Sequence, residues 1–336
     1  MAAGPLKIVR RVIATVVVLG LLAVGLLAYL NRQEISDFFA AQGFEPGPEI
    51  VELTANMHLT SAGERVFFAS APTLDASQNF NTQCAEVEHG DDSNVLGCFT
   101  AGRIHLFKVA DTRLNGIVEV TATHELLHAV YSRISSDARA SLGQRLRATY
   151  AELIKTDPEL ETRMSVYSSL SDQGFANELH SILGTEVRVL PDWLEEHYAT
   201  WIADRSAILD HFDAYRGVFA QIQSRVSELR AELETLREDI EQRSKEYDAA
   251  VAEFNRDVSE FNRRNAAFEF SDDEAEFLRI RGSLQSRSSA LQNELLDLQA
   301  DIARHEAMRL ELEELGATSA ELNQRMDSQL APAPTS

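Results

Sequence analysis

The chain has 336 residues, with 31 Lys and Arg against 53 Asp and Glu and a formal net charge of −22, so it lacks the cationic surface that phosphate backbones require, and no nucleic acid is expected as a partner. At 44% hydrophobic and 25% charged residues, the composition is that of a folded protein, which excludes wholesale disorder and leaves room for one or two cores. The acidic residues concentrate late in the chain and aromatics make up only 7%, as when a long helical part dilutes a smaller globular one.

From Val12 to Leu30 the sequence VIATVVVLGLLAVGLLAYL carries no charge. At about 1.5 Å rise per residue, a helix of this length crosses a hydrocarbon core of roughly 30 Å. Residues 1–34 therefore read as an N-terminal segment and a transmembrane helix. Lys7, Arg10 and Arg11 precede the run, whereas Glu34 and Asp37 follow Arg32; this bias keeps the N-terminus cytoplasmic and places everything after residue 34 outside. The competing reading is a cleaved signal peptide, but the apolar run exceeds the usual h-region and no A-x-A site follows it.

Residues 35–50, with Gly43, Pro46, Gly47 and Pro48, read as a short linker at the start of a domain spanning 35–215. Ile50, Val51, Leu53, Met57 and Leu59 predict one amphipathic helix from Glu49, ended by a turn at Ser61-Ala62-Gly63 before a strand over Arg65–Ser70. Cys84 and Cys98 are the two cysteines. Outside the cytoplasm they are expected to form a disulfide that closes a polar loop and contributes about 3 kcal/mol; two free buried thiols are the alternative. With no CxxC pair, they do not read as a zinc site. Arg103–Val109 follows as a strand, and Asp111–Gly116 as a turn into a helix. The fold class is α+β, predominantly helical, with few strands.

That helix contains His124-Glu125-Leu126-Leu127-His128, an HExxH match. Helical spacing puts residues i and i+4 on one face, so both imidazoles can reach one ion while Glu125 sits near a water on that ion. Two neutral histidines and a third ligand leave Zn²⁺ an open position, where it acidifies water and polarises a carbonyl. Glu125 is then the general base. Apolar residues surround the motif, and burying two histidines and a glutamate among them is costly without a partner. A metal is such a partner.

The candidate third ligand is Glu178, in Asn177-Glu178-Leu179-His180-Ser181. HELLHAV at 124–130 together with NELHS at 177–181 resembles the gluzincin branch of the zincin metallopeptidases. The resemblance implies a zincin-like catalytic domain with His124, His128 and Glu178 as metal ligands and Glu125 as the base. The interval before Glu178 is long for the thermolysin type, and Ile182 stands where that type has an aspartate, so the likeness is to the clan. Glu186, His180 and His197 are the alternative third ligands. The metzincin pattern is absent after His128. Arg103–Val109 resembles the zincin strand along which an extended peptide would pair; its bland counterpart is a core strand with a stray His105. Residues 184–204 add His197 and Tyr198 as candidate donors to a transition-state oxyanion.

From Val218 to Phe268 and again from Phe277 to Ile302, apolar residues recur at heptad spacing. Ser271 and Glu274 read as a capping box that starts the second helix. Helices of matched length predict an antiparallel coiled-coil hairpin over 216–316, with Phe254, Phe261, Phe268, Phe270 and Phe277 filling its seam near the turn. It offers a surface to a substrate or a protein partner. Residues 317–336, ending APAPTS, read as a disordered tail.

Together these readings predict a single-pass, membrane-anchored zinc metallopeptidase whose catalytic domain lies outside the cytoplasmic membrane, and the resemblance adds a bacterial setting. Its substrates would be extracytoplasmic proteins or peptides. The alternatives are a non-catalytic coiled-coil scaffold with a structural metal, and a zinc amidase acting on cell-wall material.

Overall fold

A computed structural model describes residues 5–85 and 95–329, with side chains from residue 13 onward. The side chains of Lys7, Arg10 and Arg11, residues 86–94 of the cysteine loop and the APAPTS ending lie outside what is described. The protein is 77% helix, and its described residues form twelve α-helices and one three-stranded sheet. The chain divides into two units, residues 1–218 with 322–336, and residues 219–321.

Helix α1 (Pro5–Leu30) has a mean hydropathy of 2.6 over Ile13–Leu30 with none of that stretch buried. It is long and apolar enough to cross a membrane. One residue later α2 (Arg32–Gly43) begins, which corrects the expected linker: only residues 44–47 are non-helical. The cause is tertiary. Asp37 is buried and accepts from Nε of Arg133 at 3.0 and 3.1 Å, so α2 is tied to the domain.

Helix α3 (Pro48–Asn56) starts on Pro48, whose fixed φ and missing N–H suit a first turn. It stops short of Leu59, which forms an isolated bridge with Ile202. The predicted strand over Arg65–Ser70 is instead the body of α4 (Ser61–Ala69). Thr60 caps it by accepting from the Gly63 N–H at 3.1 Å, and Gly63, Val66 and Phe67 are buried at i, i+3 and i+4. That is a helical period; the run of consecutive apolar residues conceals it. Helix α4 packs against α2.

Strand β1 (Thr73–Asp75) leads to α5 (Ser77–Cys84), then β2 (Gly97–Thr100) and β3 (Arg103–Phe107). The order is β1-β3-β2, with β1 parallel to β3 and β2 antiparallel to it. Both edges of β3 are therefore occupied, so the strand expected to receive a peptide cannot do so. Cys84 and Cys98 form the predicted disulfide, which ties α5 to β2.

Helix α6 (Ile117–Arg133) carries the motif and is followed by α7 (Ser136–Leu153), α8 (Pro158–Ser165), α9 (Asp172–Glu186) and α10 (Asp192–Tyr198). Side chains of Ser135, Asp157 and Ser171 cap α7, α8 and α9 by accepting from backbone N–H groups two or three residues into each helix. Leu126 and Leu127 of α6 meet Leu179 and Leu183 of α9 in one core with Phe67, Ile104 and Leu106. The helices cross at Gly184, where an added Cβ would lie 2.3 Å from Leu127 Cδ1. A larger residue there would push Leu127 and Tyr198 out of place.

Residues 219–321 hold most of α11 (Arg205–Ala266) and α12 (Glu274–Met326). Arg225 binds Glu311, Arg243 binds Glu294 and Asp301, and Arg264 binds Glu276. Partners descend on one helix as they ascend on the other, which is the register of an antiparallel hairpin. Phe261, Phe270 and Phe277 cluster at 5.3–5.7 Å between ring centroids, as expected of the seam, and Arg287 lies over Phe254. Phe268 departs from this, being 81% exposed with φ 59°. The predicted capping box is also corrected, since Asp273 rather than Ser271 accepts from the Glu276 N–H at 2.9 Å. Helix α12 runs through Gly316 to Met326, so the expected tail is helical over 317–326.

Candidate metal centre

Helix α6 buries Val120, Leu126, Leu127, Ala129 and Val130 together with Glu125 and His128, so the motif lies on a helix enclosed on most sides. The His124 and His128 rings stand one turn apart, edge to face, with centroids 4.7 Å apart. From α9, Glu178 brings Oε2 to 3.5 Å from His124 Nε2 and Oε1 to 3.5 Å from His128 Nε2. The three side chains thus converge.

Donor atoms at zinc distances of about 2.0–2.1 Å in a tetrahedral shell lie roughly 3.3 Å from one another. The two approaches of Glu178 match that separation, and both exceed a strong hydrogen bond. Ligand atoms of His124, Glu125 and His128 also fall within 4.8 Å of one another. The carboxylates of Glu125 and Glu178 thus both lie near the two histidines, Glu178 with one oxygen toward each imidazole.

Electrostatics favour a cation at this point. Burial disfavours charge on Glu178, yet His128 and His124 overcome it and hold its carboxyl well below the usual carboxylate range. Burial also disfavours the His128 imidazolium, but the Glu178 and Glu125 carboxylates outweigh it and push His128 up to about 9. For Glu125, burial is the larger effect and pushes its carboxyl up, against the pull of the two histidines. Its Oε2 is buried without a hydrogen-bond partner. A basic carboxylate with an unsatisfied oxygen suits proton transfer.

The structure adds residues that carry little or no signal in the sequence. The Ser181 hydroxyl lies 3.2 Å from Nδ1 of His128, one helical turn beyond Glu178; its i+3 spacing from that residue is the available clue. Gly97 on edge strand β2 abuts Glu125, since an added Cβ would sit 2.9 Å from Oε1. Tyr167, just past α8, is pushed up by burial, with Glu178, Glu186 and Glu125 adding to the effect. It remains a protonated phenol beside the carboxylates.

Other candidates are engaged elsewhere. Glu186 pairs with Arg163 at 3.0 Å. His180 and His197 face one another at 2.8 Å between Nε2 atoms, and burial lowers both, His180 well below the usual range. The fully buried Tyr198 donates its hydroxyl to the His180 carbonyl at 2.6 Å. It thus braces α10 against α9, and the expectation that Tyr198 or His197 serves as an oxyanion donor finds no support in these bonds.

Compared with known protein families, with curated proteins and with solved structures, the chain finds no match in any of the three.

Proposed function

We propose that the protein is a membrane-anchored metallopeptidase that holds zinc on His124, His128 and Glu178. The single observation that carries this reading is the approach of one Glu178 oxygen to each motif imidazole at 3.5 Å. When bound, zinc supplies Lewis acidity, which lowers the pKa of a coordinated water toward about 7 and polarises a carbonyl oxygen. Glu125 takes the proton of the attacking water and delivers it to the leaving amine. Tyr167, whose phenol burial and the nearby carboxylates keep protonated, would be a further candidate beside His197 and Tyr198 for donating to the oxygen on which charge develops.

An extended peptide would add to β2, which is the edge of the sheet beside Glu125 among the described residues. Helix α1 would span the membrane with the catalytic unit outside the cytoplasm, where a disulfide between Cys84 and Cys98 is stable. The hairpin of α11 and α12 would present substrates or a protein partner.

The test is metal analysis and hydrolysis with the purified full-length chain and two variants. Glu125→Gln should keep one zinc per chain and lose cleavage of a peptide library, whereas Glu178→Ala should lose the zinc. If Glu125→Gln also loses the metal while Glu178→Ala keeps it, Glu125 is the ligand in place of Glu178. Cleavage of wall fragments and not of peptides would make the enzyme an amidase, and a variant-insensitive phenotype would make the protein a scaffold.

A further inference from the structure

Helices α1, α2, α4 and the end of α6 enclose a cavity of about 390 Å³. Leu30 and Asn31, where α1 ends, form part of its wall. If α1 spans a bilayer, as proposed above, this cavity opens at the level of the lipid head groups.

Its charged groups are unequal. Arg133 is saturated, binding Asp37, the Ala129 carbonyl at 2.9 Å and the Ser70 hydroxyl at 3.2 Å. Arg65, by contrast, is half-buried in the wall and has no ion pair or hydrogen bond among the described residues. Trp201 also lines the cavity, but its indole nitrogen is shut away from solvent and from the cavity space. Glu34 is an exposed carboxylate in the same wall, with no cation partner among the described residues. Val66, Val130 and Ile134 supply apolar surface.

We infer that this cavity binds the head group of a zwitterionic membrane phospholipid, with Arg65 on its phosphodiester and Glu34 on its amine. A planar guanidinium suits a phosphate oxygen pair. The apolar wall accepts the first carbons of the acyl chains. A free anion would satisfy Arg65 but leave Glu34 unused. An anionic lipid with a glycerol head group would likewise offer Glu34 no cation.

Native mass spectrometry of the full-length chain in mild detergent tests this, with short-chain phosphatidylethanolamine, short-chain phosphatidylglycerol and inorganic phosphate as probes. One phosphatidylethanolamine should bind per chain. Arg65→Ala should weaken it about tenfold, Arg65→Lys should retain most of the binding, and Glu34→Gln should abolish the preference over phosphatidylglycerol. Undiminished binding by Arg65→Ala overturns the inference, and so does displacement by phosphate at the same concentration, which would mark a free-anion site. Alkaline extraction of cell membranes separates the two readings. A chain that stays with the membrane but binds no lipid refutes the pocket alone, whereas a chain released into solution refutes the anchor and leaves the short-chain titration to judge the pocket.

Discussion

Ser181 places its hydroxyl 3.2 Å from Nδ1 of His128, while Nε2 of the same ring faces Glu178. One imidazole is therefore held at both nitrogens from a single helix, α9. A ring that offers Nε2 to a metal carries its proton on Nδ1, and Ser181 is placed to accept it, which fixes the tautomer. Replacing Ser181 by Ala should lower zinc affinity about 10- to 100-fold. Competition with a chelator measures this, and an unchanged circular dichroism spectrum would show that the loss is local. An affinity equal to that of the unaltered chain would mean that the serine bond does not orient the ligand.

Gly97 is the point where edge strand β2 meets Glu125, the proposed general base. A methyl group there would lie 2.7 Å from Thr121 Cγ2, 2.8 Å from Glu125 Cγ and 2.9 Å from Glu125 Oε1. Something must move, and the carboxylate is the movable part. Gly97→Ala is expected to reduce peptide cleavage about 100-fold, since small displacements of a catalytic group have that effect, while zinc content stays at one per chain. Loss of zinc together with activity would show that the damage spreads to the histidines.

The bond between Asp37 and Arg133 joins α2 to the last residue of the motif helix. Both side chains are largely buried, at 10% and 14% exposure, so removing one leaves the other charged and uncompensated. Asp37→Ala should cost about 3 kcal/mol of stability, the lower end of what breaking a buried pair costs. Because α6 ends at Arg133, the variant should also raise hydrogen exchange in the last turn of that helix. A melting temperature unchanged from the parent chain would show that α2 is merely adjacent.

The motif is readable because its chemistry is local: one helical turn fixes the relation of His124 to His128, and the apolar residues around them announce burial. Glu178 is reached through the resemblance of NELHS, not through spacing, since nothing in a single chain says where a later helix lies. The errors share a cause. The strand expected over Arg65–Ser70 fails because Val66, Phe67 and Phe68 form an unbroken apolar run that fits either period, and the Thr60 cap decides for helix. The linker expected over 35–50 fails because Asp37 looks like solvent-facing charge, and only its distant partner Arg133 explains why that segment is ordered. A different kind of gap surrounds His197 and Tyr198: that Tyr198 donates to the His180 carbonyl is a tertiary fact that no spacing along the chain announces. The hairpin, whose heptads repeat over tens of residues, is the most legible part, down to its antiparallel register.

His105 gives a prediction in which the sign can be worked through. It is buried at the centre of the sheet, with Thr73 Oγ1 at 3.0 Å from Nδ1. Burial is the main reason its pKa falls below 6.5, Arg103 adds to the effect and Asp75 opposes it. In the unfolded chain the imidazole titrates at the ordinary value, so below that value the unfolded state binds more protons than the folded one. Stability is therefore complete above about pH 6.5 and falls as the pH drops below it, until the folded form also takes up the proton. His105→Gln can keep the bond to Thr73 without titrating. The difference in unfolding free energy between the two chains, followed by urea denaturation from about pH 7.5 to pH 5, should move in favour of the variant by up to about 1.4 kcal/mol for every tenfold by which folding weakens proton binding. A difference that stays flat across that range would show that His105 is protonated as readily folded as unfolded. It would then count as a solvated histidine despite its place between two strands.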